Sequence, residues 1–258
     1  MKKISSPANS KIKDLIRLRK KSSGIVLVEG QRELSVALES GVEALELFFC
    51  PGFSKEKPKH NFFKEEFEIS KSVFKKLSLR QNPDGIMATI KRPTTAIKDF
   101  VPRRNALVIV LDNLEKPGNI GAIMRSADAV SADAVVILGS NTDVYNHNVV
   151  RASQGTLFSN NVFCCSDDEL IKWLKLNKIT SFATTPRAKK DYYLADLSSS
   201  AAIFIGTEHS GLRNDLLEEC EKQIKLPMLG KIDSLNASVS AAVICYEALR
   251  QRKVTNIG

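Results

Sequence analysis

Five polar side chains that could do chemistry stand in three separate segments, each of which also contains glycine. They are Asn119 and Arg125 in NIGAIMRSADA, Glu208 in IGTEHSGL, and Ser234 and Asn236 in LPMLGKIDSLNASVSAAVICYEALRQ. An arginine side chain stays protonated in proteins, so Arg125 would be a poor base, but it can orient a phosphate and stabilise negative charge. A surface arginine on an amphipathic helix is the simpler interpretation for Arg125 taken alone.

The spacing of these residues leaves structural alternatives open. Arg125 lies six residues after Asn119, so on a helix that starts near Gly118 the two are nearly two turns apart and roughly on one face. Asn119 could equally cap that helix, because asparagine is favoured at N-caps. Ser234 and Asn236 come just before the last predicted helix, so they could also be caps.

Glu208 follows the end of a predicted strand and lies between Gly206 and Gly211. These glycines suit a tight turn where the backbone passes close to a ligand, although a plain loop acid is the alternative. The usual nucleotide-binding signatures, G-x-G-x-x-G after a strand and G-x-x-x-x-G-K-[ST], do not occur. Their absence weighs against a Rossmann dehydrogenase, a P-loop ATPase and the Gly-rich methyltransferase fold.

The elements that must position these residues alternate between strands and helices. Four apolar runs are predicted as strands: Ala106–Asp112, Ala134–Gly139, Thr180–Thr185 and Ala201–Gly206. A helix is predicted from Pro117-Gly118 through about Val130, and further helices lie between the strands. This alternation predicts an α/β domain with a parallel sheet. Because ligands bind at the carboxyl ends of such strands, we expect a ligand site there.

The first hundred residues predict a small α/β module. It comprises a cationic amphipathic helix within residues 1–21 with apolar Ile12, Leu15, Ile16 and Leu18, strands at Ile25–Val28, Ala44–Phe49 and Ile86–Ile90, and helices at Gln31–Ser40 and Ser70–Leu77 with Ser70 as N-cap. Pro93, Thr94, Thr95 and Pro102 indicate a linker. We therefore predict two domains, at 1–100 and 105–258.

Positive charge is concentrated in the first part of the chain. Residues 1–104 hold 22 Lys and Arg against 12 Asp and Glu, a net +10, whereas residues 105–258 hold 16 against 17, a net −1. A basic module joined to a neutral one suggests that the first binds a polyanion and the second does chemistry. A lysine-rich solvated surface is the alternative, and charge alone does not decide between the two.

Composition narrows the class of protein further. The hydrophobic fraction of 43% and the charged fraction of 26% are those of an ordinary globular protein. No run approaches 18 apolar residues and the basic N-terminus lacks an apolar signal segment, so we expect a cytoplasmic protein without a membrane span. Five cysteines without C-x-x-C argue against a disulfide framework, and the three histidines show no metal-ligand spacing, so no metal is expected.

The three polar segments, in this order and spacing, resemble the motifs of the SpoU/TrmH family of SPOUT RNA methyltransferases over about residues 106–252. VEGQREL (28–34) is similar to part of the family's L30e-like RNA-binding extension. The resemblance implies a SPOUT domain with a parallel sheet and a deep trefoil knot, which general topology rules make rare. It also implies a homodimer formed through the C-terminal domain.

The same resemblance implies S-adenosylmethionine as methyl donor and a ribose 2'-hydroxyl of RNA as acceptor. The N-terminal extension, larger than that of the shortest transfer-RNA enzymes, favours ribosomal RNA over transfer RNA. The resemblance makes the five polar residues an active site in which Arg125 acts on the hydroxyl. Implied donor-binding residues are Thr184, Gly206, Gly211, Leu226, Met228, Gly230 and Leu235, and predicted RNA contacts are Lys11, Lys13, Arg17 and Arg32. Two alternatives stay open: a SPOUT-fold RNA-binding or assembly protein without turnover, and a base-methylating SPOUT enzyme.

Departures from the family pattern are confined to packing positions. The third segment reads SLNASVS, with Ala237 and Ser240 where the family usually has Val and Ala, and Leu226 replaces the usual Ile. Because no polar residue of the pattern is lost, we expect an active enzyme.

Overall fold

A computed structural model describes residues 1–19, 24–58, 63–139 and 142–255, with side chains described to residue 253. Lys20 and Lys21 of the predicted basic segment lie outside the described residues. The chain divides into two compact units, which we call unit 1 and unit 2. Unit 1 comprises Met1–Thr94 and Asp143–Ser159, and unit 2 comprises Thr95–Thr142 and Asn160–Gly258.

The described residues form eleven strands, nine α-helices and two short 3-10 helices. The strands are β1 (Lys2–Ile4), β2 (Ile25–Glu29), β3 (Ala44–Phe49), β4 (Glu65–Ile69), β5 (Ile86–Lys91), β6 (Leu107–Asp112), β7 (Ala134–Leu138), β8 (Val162–Cys164), β9 (Thr180–Thr184), β10 (Ala201–Ile205) and β11 (Lys222–Ile224). The helices are α1 (Ser10–Leu18), α2 (Gln31–Glu39), α3 (Lys71–Leu77), α4 (Pro117–Ala129), α5 (His147–Ala152), α6 (Thr156–Ser159), α7 (Asp167–Leu176), α8 (Asn214–Glu219) and α9 (Ala237–Thr255). Of these helices, none is long and apolar enough to cross a membrane.

Unit 1 is built on a mixed sheet in the order β1-β4-β3-β5-β2. β4 runs parallel to both β1 and β3, whereas β5 is antiparallel to β3 and β2. α1 packs its apolar stripe inward, with Ile12 and Leu15 fully buried, and the side chain of Ser70 caps α3 as predicted. The predicted strands and helices of this half are therefore present, but β1 and β4 were not anticipated.

The segment Asp143–Ser159 packs within unit 1, although the sequence analysis assigned it to the second domain. The side chain of His147, at the start of α5, lies 2.9 Å from the carboxylate of Glu29 at the end of β2. An ion pair of 3.2 Å joins Arg92 to Asp143. Charged and polar contacts of this kind cannot be read from hydrophobic periodicity. The boundaries at 100 and 105 stay a prediction.

Unit 2 is built on a six-stranded, wholly parallel sheet in the order β11-β9-β10-β6-β7-β8. β6, β7 and β10 are buried along their entire lengths, as expected for central strands covered on both faces. The strands β7 and β8 lie on one side of β6 in the sheet, and β10, β9 and β11 lie on its other side. The loops after β6 and β10 therefore diverge at a switch point, where parallel sheets bind ligands. The trefoil knot stays a prediction from the family resemblance.

Candidate active site

A cavity of about 440 Å³ opens at the carboxyl ends of β9 and β10 in unit 2. Six of the seven predicted donor-binding residues line it: Thr184, Gly206, Gly211, Leu226, Met228 and Leu235. The seventh, Gly230, is exposed and lies outside the lining, because the loop has already turned towards solvent there. The hydroxyl of Thr184 donates to the carbonyl of Phe204 at 2.7 Å, so this hydroxyl links β9 to β10 within the sheet.

Two glycines shape the turn that forms one wall of the cavity. Thr207 and Gly211 exchange backbone hydrogen bonds of 3.1 and 3.0 Å. Gly211 has φ +70°, in the left-handed region that favours glycine. A Cβ atom on Gly206 would overlap the backbone of Gly211 and Leu212. The sequence therefore needs glycine at both positions for the turn to close, and this turn carries Glu208.

Three polar side chains from the three predicted segments meet at one carboxylate oxygen. Asn119 Nδ2 donates to Glu208 Oε1 at 2.6 Å, and Asn236 Nδ2 donates to the same oxygen at 2.8 Å. Asn236 Nδ2 also lies 3.1 Å from Asn119 Oδ1. Glu208 lines the cavity as well. This network ties the loops after β6 and β10 to the start of α9.

Asn236 both caps α9 and takes part in the polar network of the site. Its Oδ1 accepts from the backbone N–H of Ser238 at 2.9 Å, in the manner of an N-cap for α9. Because the oxygen is committed to the helix, the amide nitrogen must point towards Glu208. Asn119, in contrast, lies in the first turn of α4, whose N-cap is Lys116, so the capping alternative for Asn119 is wrong.

Glu208 is an ionised acceptor in this network. Burial raises its pKa, but hydrogen bonds from Asn119 and Lys116 outweigh that effect, so the pKa lies below its ordinary value of 4.5. Lys116 Nζ lies 3.4 Å from the second carboxylate oxygen, Oε2. The sequence analysis missed Lys116, and its only signal was a basic residue just before a helix whose first turn holds Asn119.

Arg125 lies apart from the network. Asn119 is only 9% exposed, whereas Arg125 is exposed to solvent on the same helix. Six residues rotate an α-helix by about 600°, which places the two side chains about 120° apart, so the expectation that they share a face is wrong. Within the described ranges, no hydrogen bond or ion pair holds the Arg125 guanidinium, so its donors face solvent. Ser234 lines the cavity and bonds to Asp233 at 3.3 Å.

Asp112 and Arg213, which were not predicted from the sequence, form a clamp that holds the chain just after the Glu208 turn. Asp112, the 1% exposed last residue of β6, accepts from the backbone N–H of Arg213 at 3.0 Å and from its Nε at 2.8 Å. Arg213 also pairs with Asp167 at 2.9 Å, and hydrogen bonds to these carboxylates raise the pKa of the guanidinium. An acid at the end of an apolar strand was the available signal.

The residues around the cavity fit S-adenosylmethionine. The volume falls within the range of small-molecule sites, about 300–1,000 Å³. Leu226 and Leu235 offer apolar walls for a purine, while Thr185, Arg187 and Ser240 offer polar groups for a charged amino-acid tail. Among the residues that the structure describes, no group of three His, Cys, Asp or Glu side chains could hold a metal ion.

The predicted RNA contacts in unit 1 differ in availability. Lys11 pairs with Glu46 and lies over the ring of Phe67, 4.7 Å from its centre. Arg17 pairs with Asp14 at 3.1 Å. Lys13 and Arg32 are exposed, and neither side chain has a hydrogen bond or ion pair to another residue in the described part of the chain. Two of the four predicted cations thus have internal partners.

Comparison with known proteins relates both halves of the chain to one group of enzymes. Residues 106–246 match the model of the SpoU rRNA Methylase family, and residues 9–88 match that of the MRM3-like substrate binding domain. A relative from Streptomyces viridochromogenes, named 23S rRNA (uridine(2479)-2'-O)-methyltransferase, is 30% identical over 247 residues, covering 92% of this chain and 86% of the relative.

Solved structures show the same likeness. A structure described as an RNA 2'-O ribose methyltransferase is 40% identical, with a TM-score of 0.84 over 97% of this chain and 99% of the other. An AdoMet-bound rRNA methyltransferase from Sinorhizobium meliloti is 25% identical, with a TM-score of 0.87 over 96% and 97% of the two chains. The family match covers more than half of the sequence and contains all five polar residues of the three segments. The chain belongs to the SpoU rRNA methylase family.

Proposed function

We propose that this protein is a ribosomal RNA methyltransferase that uses S-adenosylmethionine to methylate a ribose 2'-hydroxyl. Family membership supports RNA methylation, and the names of the relatives support the ribose and the ribosomal RNA. The S. meliloti structure holds AdoMet, which supports the same donor here. Such an RNA would be met in the cytoplasm, in keeping with the location predicted from the sequence.

The observation that carries the proposal is the position of Glu208. This carboxylate receives both Asn119 and Asn236 and also lines the cavity. Three distant segments thus converge beside a cavity that fits the donor. Convergence of this kind is what a positioned transfer reaction requires, because much of its rate comes from orientation.

Bound S-adenosylmethionine supplies an electrophilic methyl group on a positively charged sulfur. The protein must then hold the acceptor hydroxyl in line and stabilise its oxygen as the hydroxyl proton passes to solvent water. Arg125 suits this task, because a guanidinium stays protonated and offers five N–H donors for a phosphate and a developing alkoxide. Glu208, Asn119 and Asn236 act as positioning residues that hold the loops around the cavity.

Tritium transfer from methyl-labelled S-adenosylmethionine into purified ribosomal and transfer RNA tests the proposal. We expect ribosomal RNA to be labelled, and Arg125→Ala to abolish labelling without lowering the unfolding temperature, because the side chain has no described partner. Lys172→Ala, which removes an exposed cation from α7 of the same unit, is the matched control and should keep full activity. Labelling that survives in Arg125→Ala would contradict the assigned role.

The product separates the alternatives. Ribose methylation blocks alkaline cleavage of the adjacent phosphodiester, so the label should appear in alkali-resistant dinucleotides. Label in alkali-sensitive nucleotides would indicate a base-methylating enzyme. RNA binding without any transfer, equal for wild type and Arg125→Ala, would indicate a binding or assembly protein. Labelling of transfer RNA alone would overturn the choice of ribosomal RNA.

We further propose a homodimer formed through α9. One face of this helix is buried in unit 2 through Ala241, Ile244, Cys245 and Ala248. The outward side also carries apolar side chains, beside the exposed Arg250. They are Val239, Ala242, Val243, Tyr246 and Leu249, and Val239 and Tyr246 are 46% and 55% exposed. Large apolar side chains exposed next to one another mark an interaction surface. A second copy of the chain, seated face to face, would bury this surface.

Sedimentation equilibrium tests the dimer. Wild type should sediment at twice the mass of one chain, and Tyr246→Glu should sediment as a monomer. Leu176→Glu, at an exposed position at the end of α7, should leave the mass unchanged. A monomeric wild type at micromolar concentration would rule the dimer out.

A further inference from the structure

The loop that follows α3 in unit 1 is anchored at both ends by carboxylates. Glu29 is 1% exposed; Ser78 Oγ donates to its Oε1, and the backbone N–H of Leu79 donates to its Oε2 at 3.3 Å. At the other end, Asp84 accepts from the backbone N–H of Gln31 at 2.7 Å. The loop between these anchors therefore has a fixed backbone before any partner binds.

Arg80, within this loop, is turned inward. Its Nη2 donates to the carbonyl of Glu29 at 2.8 Å and pairs with the buried carboxylate of Glu33 at 2.6 Å. This pair removes both a cation and an acid from the surface. The charge that the region presents to solvent is thus set by other residues.

Five side chains around the loop point outward, and we call them the loop surface: Arg32, Leu79, Gln81, Asn82 and Arg151. Leu79 is 37% exposed, and the other four are also exposed. The side chains of Gln81, Asn82 and Arg32 have no hydrogen bond or ion pair to another residue within the ranges described. The loop surface thus combines two cations, two free amides and one apolar side chain, without an exposed acid among its members.

Arg151 reaches this surface from a distant part of the sequence. It lies within the range matched by the SpoU rRNA Methylase model, yet α5 packs in unit 1. Its Nη1 donates to the carbonyl of Leu79 at 3.1 Å, which leaves its other donors for a ligand. His147 places α5 by bonding to the same Glu29 carboxylate that holds the loop. One buried carboxylate therefore orders both parts of the surface.

We propose that the loop surface binds unpaired nucleotides of the RNA substrate, an inference that rests on the proposed function for the identity of the partner. Arginine side chains bind phosphates, amide side chains bond to base edges, and an exposed apolar side chain packs against a base face. Base edges and faces are accessible to proteins mainly where RNA is single-stranded or looped, since the major groove of an RNA duplex is too narrow.

The loop surface fits this task better than α1 does. Lys11 and Arg17 of α1 pair with acids, and Arg19 donates to the carbonyls of Lys76 and Leu77 at 3.0 and 2.9 Å. Lys11 and Arg19 are thus partly used in holding unit 1 together, and Arg17 pairs within α1. Lys13 is the exposed cation of α1 whose side chain has no described partner. A surface of cations alone would also bind any polyanion, whereas the free amides of the loop surface can read bases.

Fluorescence anisotropy with the full-length protein tests the proposal, using a labelled single-stranded RNA dodecamer and the duplex of the same sequence. Wild type should bind the single strand at least tenfold more tightly than the duplex. Arg151→Gln, whose amide can still donate to Leu79, should weaken binding about tenfold and lower the slope of log K against log salt by about one. Asn82→Ala should weaken binding about tenfold with an unchanged salt slope.

Arg17→Gln tests the competing prediction that α1 binds the RNA, and it should change binding less than threefold because Arg17 pairs with Asp14. The proposal is overturned if Arg17→Gln weakens binding as much as Arg151→Gln does, or if the duplex binds as tightly as the single strand. Thermal unfolding checks that Arg151→Gln and wild type are equally stable. Binding is measured without S-adenosylmethionine. A failure of methyl transfer would therefore contradict the proposed function, whereas the anisotropy result would still test RNA binding by the loop surface.

Discussion

Replacing Glu208 with glutamine tests whether the central carboxylate positions the site or transfers a proton. Glu208→Gln keeps the shape of the side chain but removes its charge. The carboxylate receives Asn119 and Asn236 on one oxygen and Lys116 on the other. A glutamine must turn its amide nitrogen towards one of these donors, so neither orientation satisfies all of them.

The magnitude follows from the two short hydrogen bonds. A bond to a charged group contributes about 1.5–3 kcal/mol and a neutral bond about 0.5–1.5 kcal/mol, so each of the two weakens by about 1 kcal/mol. Their sum of about 2 kcal/mol corresponds to about 30-fold in a rate that depends on the aligned arrangement. It should also lower the unfolding temperature by about 4–8 °C.

Single-turnover methyl transfer and thermal unfolding measure both effects. Glu218→Gln, an exposed acid on α8, is the control for the same chemical change and should leave both unchanged. Activity within threefold of wild type would show that the network does not position the site. A loss beyond about 1,000-fold would instead indicate proton transfer by Glu208, since removing a general base costs up to about 10⁴-fold. Either result would refute the positioning role.

Three further predictions follow from the contacts of single residues. Gly206→Ala should abolish the S-adenosylmethionine binding measured by calorimetry and destabilise the fold by about 1–3 kcal/mol, because the added Cβ overlaps the backbone of Gly211. An unchanged affinity for S-adenosylmethionine would contradict the close approach of the Gly206 and Gly211 backbones. Asp112→Asn should lower the unfolding temperature by about 4–8 °C, since about 2 kcal/mol of charged hydrogen bonding to Arg213 is weakened; an unchanged midpoint would show that the clamp is dispensable. Burial raises the pKa of Glu29, but hydrogen bonds from neighbouring side chains lower it further, so its net pKa lies below its ordinary value. Its stabilisation of unit 1 should therefore be complete above that ordinary value and be lost as pH falls through the lowered pKa of the folded state; hydrogen exchange in α5 between pH 7 and 3 should show this loss in wild type and a weaker pH dependence in Glu29→Gln.

The elements that could be predicted are those with a strong local signal. β6, β7 and β10 are unbroken apolar runs, and the side chain of Ser70 marks the start of α3. The missed strands lack that signal. β1, β8 and β11 are three-residue edge strands, and β4 reads EEFEI with only Phe67 and Ile69 buried. Such strands form because a neighbour offers backbone hydrogen bonds, which sequence periodicity does not report.

The candidate site divides in the same way. Placing Asn119 and Glu208 near each other followed from strand ends in a parallel sheet, and the structure joins them by one hydrogen bond. The phase of Arg125 on α4 was misjudged, because six residues are not a whole number of turns. Lys116 and Arg213 depend on how two loops approach each other in space. A sequence pattern alone does not contain that information.

Glu29 and Glu208 each hold together segments that lie far apart in the sequence, which a surface patch of like charges does not do. Each is a carboxylate whose burial is offset by donors from distant segments, and each therefore stays ionised at neutral pH. Glu29 is hydrogen-bonded to the loop after α3 and to the start of α5, whereas Glu208 is hydrogen-bonded to the starts of α4 and α9. The net charge of residues 1–104 pointed to a polyanion but could not say which cations face it. The contacts of these two acids show which segments they hold together, and for RNA binding we propose the exposed cations Arg32 and Arg151, beside the segments that Glu29 holds.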